Sequence, residues 1–225
     1  MQQNFFGNIL NCLPTITSQH GRGSDLFQIF EEFTKGVVKN SKLTDSNKGE
    51  IEFGDFGNIY FPYYKMGAID TLDLFGIDEM IIFSFYLQSK LKYKKVADIG
   101  ANLGLHSVLM GKCGWDVQSY EPDPIHAALL LKNSKLNNVS DRINLNEMAV
   151  SDEAGELEFI RVVGNTTGSH LAGAKEIEVP ITFVERINGV SKMSQAIVIE
   201  ALLQTTRWGI SRILRPNADK LHYVK

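Results

Sequence analysis

Cysteine is nearly absent from this chain. Cys12 and Cys113 are the only two in 225 residues, and neither stands at metal-ligand spacing, so nothing points to a cysteine-held metal or a redox pair. Cys113 falls on an apolar helical face and reads as a small core residue. Long apolar runs are absent too: "EMIIFSFYL" is too short to span a bilayer and continues into charged residues. No excess of one charge exists, with 23 basic against 26 acidic residues and a net charge of −3, which argues against nucleic acid or an anionic membrane as partner. The first residues, "MQQNFFGNIL", lack a basic region and a signal core, so the expected location is cytoplasmic. There is no internal repeat.

What is present is ordinary globular composition, 44% hydrophobic and 22% charged, enough for one sizeable domain with an extension. Residues 1–70 read as that extension and residues 71–225 as the main domain. In the extension, Asp25 with Gln28 resembles a helix start, and Leu26, Phe30, Phe33 and Val37 follow at helical spacing. "NSKLTDSNKG" reads as a loop and "EIEFGDFGNIYF" as a hairpin, while Asp78 is placed to cap a helix carrying Met80, Phe83 and Leu87. The extension holds more aromatic surface than so short a piece can bury alone, so it should pack on the main domain, the acceptor or a second copy; a homo-oligomer is one expectation.

From residue 92 the pattern alternates. "KKVADI" is a buried-strand candidate. Gly104 to Lys112 is a helix with Leu105, Val108 and Leu109 inward, and "WDVQSY" is a second strand. Pro124 opens a helix carrying Ile125, Ala128, Leu129 and Leu136, followed by "RINLNEMAV" and "GELEFIRV" as third and fourth strands. This order predicts a Rossmann-like, doubly wound, mostly parallel α/β sheet. Further on, "KEIEVPITFVERI" reads as a strand and "AIVIEALL" as an apolar run of either type.

"VADIGANLGLHSV", residues 96–108, puts a carboxylate and two glycines where the first strand meets its helix, the usual place of a ligand in an open α/β sheet. Gly100 and Gly104 let the backbone turn tightly and come close to a ligand. Glu121 follows Asp98 by 23 residues, just past the second strand, where a carboxylate can accept two hydrogen bonds from a ribose diol. An adenosine-type ligand fits both. The dinucleotide fingerprint would need glycine at positions 102 and 105, which hold Asn102 and Leu105. Asp98 repels a diphosphate but suits the ammonium and sulfonium of S-adenosylmethionine (SAM), so charge sign favours SAM over NAD.

"VADIGANLGLHSVLMGKCGWDVQSYEPDP" with "NEMAVSDEAGELEF", and "FGIDEMIIFSFY" upstream, resembles the FkbM-type family of SAM-dependent methyltransferases over residues 75–182. The resemblance implies a seven-stranded class I core that methylates a hydroxyl of a sugar or other natural-product acceptor. It implies cofactor contacts from Asp98, Gly100, Ala101, Asn102 and Gly104, with Glu121 on the ribose and Pro122 and Asp123 near the adenine. Met148 and Ala149 would border the adenine ring, with Ser151 and Asp152 close by; Asp152 also reads as a turn residue before Gly155.

The chain departs from the family where an "I-K-I-D-x-E-G-x-E" segment is common; here the place reads "VSKMSQAIVIEALLQ", without the D-x-E-G core. An active methyltransferase and a SAM-fold binding protein that transfers nothing therefore both stay open. No catalytic base is fixed. His170, in the glycine-bearing loop "NTTGSHLAG", is the candidate, while His106 backs the cofactor loop and His126 is expected to face solvent. Glu200 reads either as a buried acid near the acceptor or as an exposed helix-start glutamate.

Overall fold

Alternating small and apolar residues between residues 95 and 146 build three parallel strands in a computed structural model, which describes residues 5–150, 158–162 and 166–171. Strands β3 (Lys95–Ile99), β4 (Asp116–Tyr120) and β5 (Ile143–Asn146) lie in that order, joined by helices α4 (Leu105–Lys112) and α5 (Pro124–Leu136). Asp98 is level with Ser119, and Tyr120 with Asn146, so the carboxyl ends of all three strands finish together. This is the expected α/β pattern with parallel pairing.

Period-two alternation divides the sheet. Val117, Ser119 and Ile143 are buried on one face, with Val96, Asp98 and Leu145 partly buried, whereas Lys95, Ala97, Ile99, Asp116, Gln118 and Asn144 are exposed on the other. The expectation of a buried first strand is therefore corrected: β3 pairs with β4 alone among the described residues, and Ile99 is 65% exposed. "GELEFIRV" is corrected as well. Among the described residues its strand, β6 (Phe159–Ile160), pairs antiparallel with β7 (His170–Leu171) and not with the parallel sheet.

The helix faces also differ from their sequence reading. In α2 (Asp25–Lys39) the cap is Ser24, whose hydroxyl accepts the Phe27 N–H, and the buried face is Phe27, Thr34 and Val38; Leu26 and Phe33 are exposed. Asp78 does not cap α3 (Ile77–Gln88); it sits in the first turn and pairs with Arg22. Met80 and Phe83 do face the core. In α5, Ile125 and Ala128 are exposed and the inner face carries His126, Ala127, Leu130, Asn133 and Ser134. Polar side chains can occupy it because each finds a partner: Asn133 Nδ2 donates to Leu103 O at 2.9 Å.

The extension folds as helix α1 (Phe5–Cys12), α2 and a hairpin of β1 (Glu50–Glu52) and β2 (Asn58–Tyr60), with a 3-10 turn at Gly54–Phe56. Phe53 is its hub, fully buried, with ring centroids 5.2 Å from Phe6, 5.6 Å from Phe75 and 5.9 Å from Phe83. Beyond it, Asn137 takes the Tyr60 N–H on Oδ1 at 3.0 Å and returns Nδ2–H to Tyr60 O at 2.8 Å, tying the hairpin to the residue that ends α5. One hydrophobic cluster thus runs from Phe6 to Ile143. Among the described residues no helix is long and apolar enough to cross a membrane. The expected strand at "KEIEVPITFVERI", the run "AIVIEALL", Ser151, Asp152 and Glu200 lie outside the described residues.

Candidate functional site

After β3 the backbone enters the left-handed region at every second residue: φ is +76° at Gly100, +51° at Asn102 and +82° at Gly104. Glycine removes the penalty at two of these positions, and asparagine tolerates the third. The turn is pinned from behind. Gly100 N–H and Ala101 N–H both donate to Tyr120 O, at 2.9 and 3.0 Å, and Gly104 N–H donates to Ala101 O at 2.8 Å. At Gly104 a Cβ would stand 2.5 Å from Leu130 Cγ, so α5 packs directly on the glycine; at Gly100 it would meet open space.

Asp98, at the end of β3, accepts the Ser107 hydroxyl on Oδ2 at 2.5 Å, and Ser107 Oγ lies 2.7 Å from Ser119 Oγ. The carboxylate is thereby held beside the first turn of α4.

Glu121 is buried, 5% exposed, and both oxygens take backbone N–H groups: Oε2 from Asn102 at 2.7 Å and Oε1 from Asp123 at 2.9 Å. Two of its four lone-pair directions are thereby occupied by the described residues. Asn102 itself presents a buried side-chain oxygen, Oδ1, that has no hydrogen-bond partner, while Nδ2 reaches Met66 Sδ at 3.4 Å. Among the described residues that oxygen is a buried acceptor with capacity for one more donor.

Asp123 is 1% exposed and serves as the cap of α5: Oδ1 accepts the Ile125 N–H at 2.9 Å and Oδ2 the Arg161 Nε–H at 2.7 Å. Burial works against its charge, but the Ile125 N–H and Arg161 outweigh it and hold the carboxyl below its ordinary value. Pro122, Met148 and Ala149 are partly buried, and the backbone brings Met148 in, since Asn146 O accepts both the Glu121 and the Met148 N–H. The structure thus gathers Asp98, Gly100, Ala101, Asn102, Gly104, Glu121, Pro122, Asp123, Met148 and Ala149 at the carboxyl edge of the sheet.

The histidines are redistributed. His126 does not face solvent; it is 3% exposed, with Nε2 2.9 Å from Thr166 Oγ1. His170 lies not in a loop but in β7, its backbone paired with Ile160. Its side chain lies outside what is described. His106 belongs to a chain of polar groups that no local pattern reveals. Its Nδ1 is 2.9 Å from the Tyr86 hydroxyl and its Nε2 3.0 Å from Glu79 Oε2. Burial, then the nearby Asp98 and Glu79 carboxylates, push the Tyr86 phenol well above its ordinary range. Cys113 is inert: burial raises its thiol to about 11.

No family model matches the chain. A 39-residue stretch is 59% identical to the undecaprenyl-phosphate mannosyltransferase of Micrococcus luteus, covering 17% of this chain and 16% of that protein. A putative O-methyltransferase from Klebsiella pneumoniae is similar in structure at 15% identity and a TM-score of 0.31, over 66% of this chain and 53% of that one. A SAM-dependent methyltransferase from Agrobacterium tumefaciens gives 12% identity and a TM-score of 0.29, over 31% of this chain and 23% of that one.

Proposed function

We propose that this chain is a SAM-dependent methyltransferase acting on a hydroxyl oxygen of a sugar or natural-product acceptor. The observation that carries the proposal is the set of acceptors around the left-handed turn: the Asp98 carboxylate, the unpaired Oδ1 of Asn102 and the Glu121 carboxylate. SAM is a cation that offers donors, an ammonium and two ribose hydroxyls, so this donor-seeking, anionic edge fits it. A dinucleotide would bring its diphosphate against Asp98.

When bound, SAM supplies an electrophilic methyl group for in-line attack by the acceptor oxygen. Asp98 would hold its ammonium and Glu121 its ribose, while the pinned turn fixes where both sit. Catalysis by this chain is then chiefly positioning, with a base needed only for an unactivated hydroxyl. Calorimetric titration with SAM and with its demethylated product, S-adenosylhomocysteine, tests the proposal; NAD binding without SAM binding overturns it.

A second reading is favoured by the absent D-x-E-G core: a cofactor-binding protein that transfers nothing. Labelled SAM against a broad panel of sugars and polyols separates the two, since binding without transfer across the panel supports this second reading.

A further inference from the structure

Three stretches far apart in sequence meet around Thr166, beginning at the backbone oxygen of Met66. Thr166 donates to it twice, from its N–H at 2.7 Å and from Oγ1 at 3.1 Å. The same Thr166 hydroxyl oxygen lies 2.9 Å from His126 Nε2, a hydrogen bond whose direction follows the histidine tautomer. All three residues are buried. The sulfur of Met66 in turn takes Nδ2–H of Asn102, whose own N–H is on Glu121. Asn102 holds an uncommon backbone conformation for a residue with a side chain, so what braces it sets the shape of the turn.

We propose that Thr166 is a positioning residue for the cofactor loop, acting through Met66 and Asn102, and that protonation of His126 loosens this hold and weakens cofactor binding. The inference rests on the methyltransferase reading for the identity of the ligand only.

The groups facing His126 come from four elements. Asp123 on its own helix and Glu121 at the end of β4 favour the imidazolium, Arg161 beside β6 opposes it, and the edge of Tyr64 packs on the ring. Burial opposes the charge most, and the balance keeps the imidazole below the ordinary histidine range. A second N–H and a net charge on so enclosed a ring are relieved only by moving toward water, which breaks the Thr166 contact. With the folded value depressed below the ordinary histidine range, the hold is complete through that range and weakens only as pH falls through the lower, folded value.

The test measures S-adenosylhomocysteine affinity at pH 7.5 and pH 5.5 in the full chain, with melting curves to show that each variant is folded. Thr166→Val should bind roughly tenfold more weakly at pH 7.5, and Thr166→Ser, which keeps the hydroxyl, should bind as the parent does. The parent should lose several-fold between the two pH values. His126→Gln, whose amide can still donate to Thr166 but cannot titrate, should lose nothing. Unchanged binding by a folded Thr166→Val, or a His126→Gln that keeps the parent's pH dependence, overturns the proposal. A parent that binds no S-adenosylhomocysteine at either pH refutes the methyltransferase reading instead. The hold is then read by amide exchange at Asn102: faster exchange in Thr166→Val supports it, and unchanged exchange refutes it.

Discussion

Glu121 Oε2 accepts the backbone N–H of Asn102 at 2.7 Å, so the carboxylate that ends β4 also holds the turn that follows β3. Replacing it with alanine leaves the buried Asp123 N–H and the part-buried Asn102 N–H without this partner, the buried one alone costing about 1–3 kcal/mol. Glu121→Ala should therefore both lower the melting temperature and weaken SAM binding, tenfold or more by calorimetry. Weakened binding with unchanged stability would mean that the carboxylate serves the ligand alone.

Gly104 and Gly100 share a left-handed backbone but not their surroundings. Gly104→Ala meets Leu130 Cγ at 2.5 Å in addition to backbone strain, and should cost about 3 kcal/mol in urea unfolding. Gly100→Ala faces open space and should cost about 1 kcal/mol, from strain alone. Equal costs would contradict the packing of α5 on the turn.

Acid should act on Asp123. Its folded carboxyl lies below the ordinary value of 3.8, so its contribution is complete above that pH and is lost as pH falls through the folded value. Asp123→Asn keeps an oxygen for the Ile125 N–H but removes the charge facing Arg161. It should flatten the fall in melting temperature between pH 4 and pH 2; a parent-like slope would sink the assignment.

Tyr86 should stand out in alkali. Ultraviolet titration should find a tyrosine that stays protonated after the exposed phenols have ionised, and Tyr86→Phe should remove it from the curve. A late-ionising tyrosine that survives Tyr86→Phe would place the perturbed phenol elsewhere.

Much of the candidate site's backbone was legible in "VADIGANLGLHSV", because a strand, a glycine turn and a helix are each written in neighbouring residues. Glu121 could be found by its spacing. The inner face of α5 could not. Its apolar periodicity pointed to Ile125 and Ala128, whereas His126, Asn133 and Asn137 are inside because their partners are Thr166, Leu103 and Tyr60. A local pattern carries no trace of groups 30 to 77 residues away. The same blindness hid Met66, Thr166 and the Glu79–His106–Tyr86 chain. The exposure of one face of β3 among the described residues was missed because a short apolar run does not tell a strand covered on both faces from one covered on one.

The extension should not be separable. Deleting residues 1–60 removes Phe6 and Phe53 from the cluster that also holds Phe83, and Phe53→Ala alone should cost about 3–5 kcal/mol. A fragment of residues 61–225 should be insoluble or should melt far lower. Unchanged stability and SAM binding would make the extension an appendage.

The Phe53 hub also sets a timetable for synthesis. Phe6, Phe53 and Phe56 are made before Phe75 and Phe83, the rings that close over them, and about 30 residues separate Phe53 from Phe83. At roughly 5–20 residues per second the nascent chain carries that aromatic surface uncovered for seconds. Ribosome-bound chains arrested short of residue 83 should be captured by a holdase chaperone, and chains arrested well beyond residue 150 should escape it. The first 70 residues of this protein are born sticky, and it is the stretch made next, bringing Phe75 and Phe83, that makes them presentable to the cell.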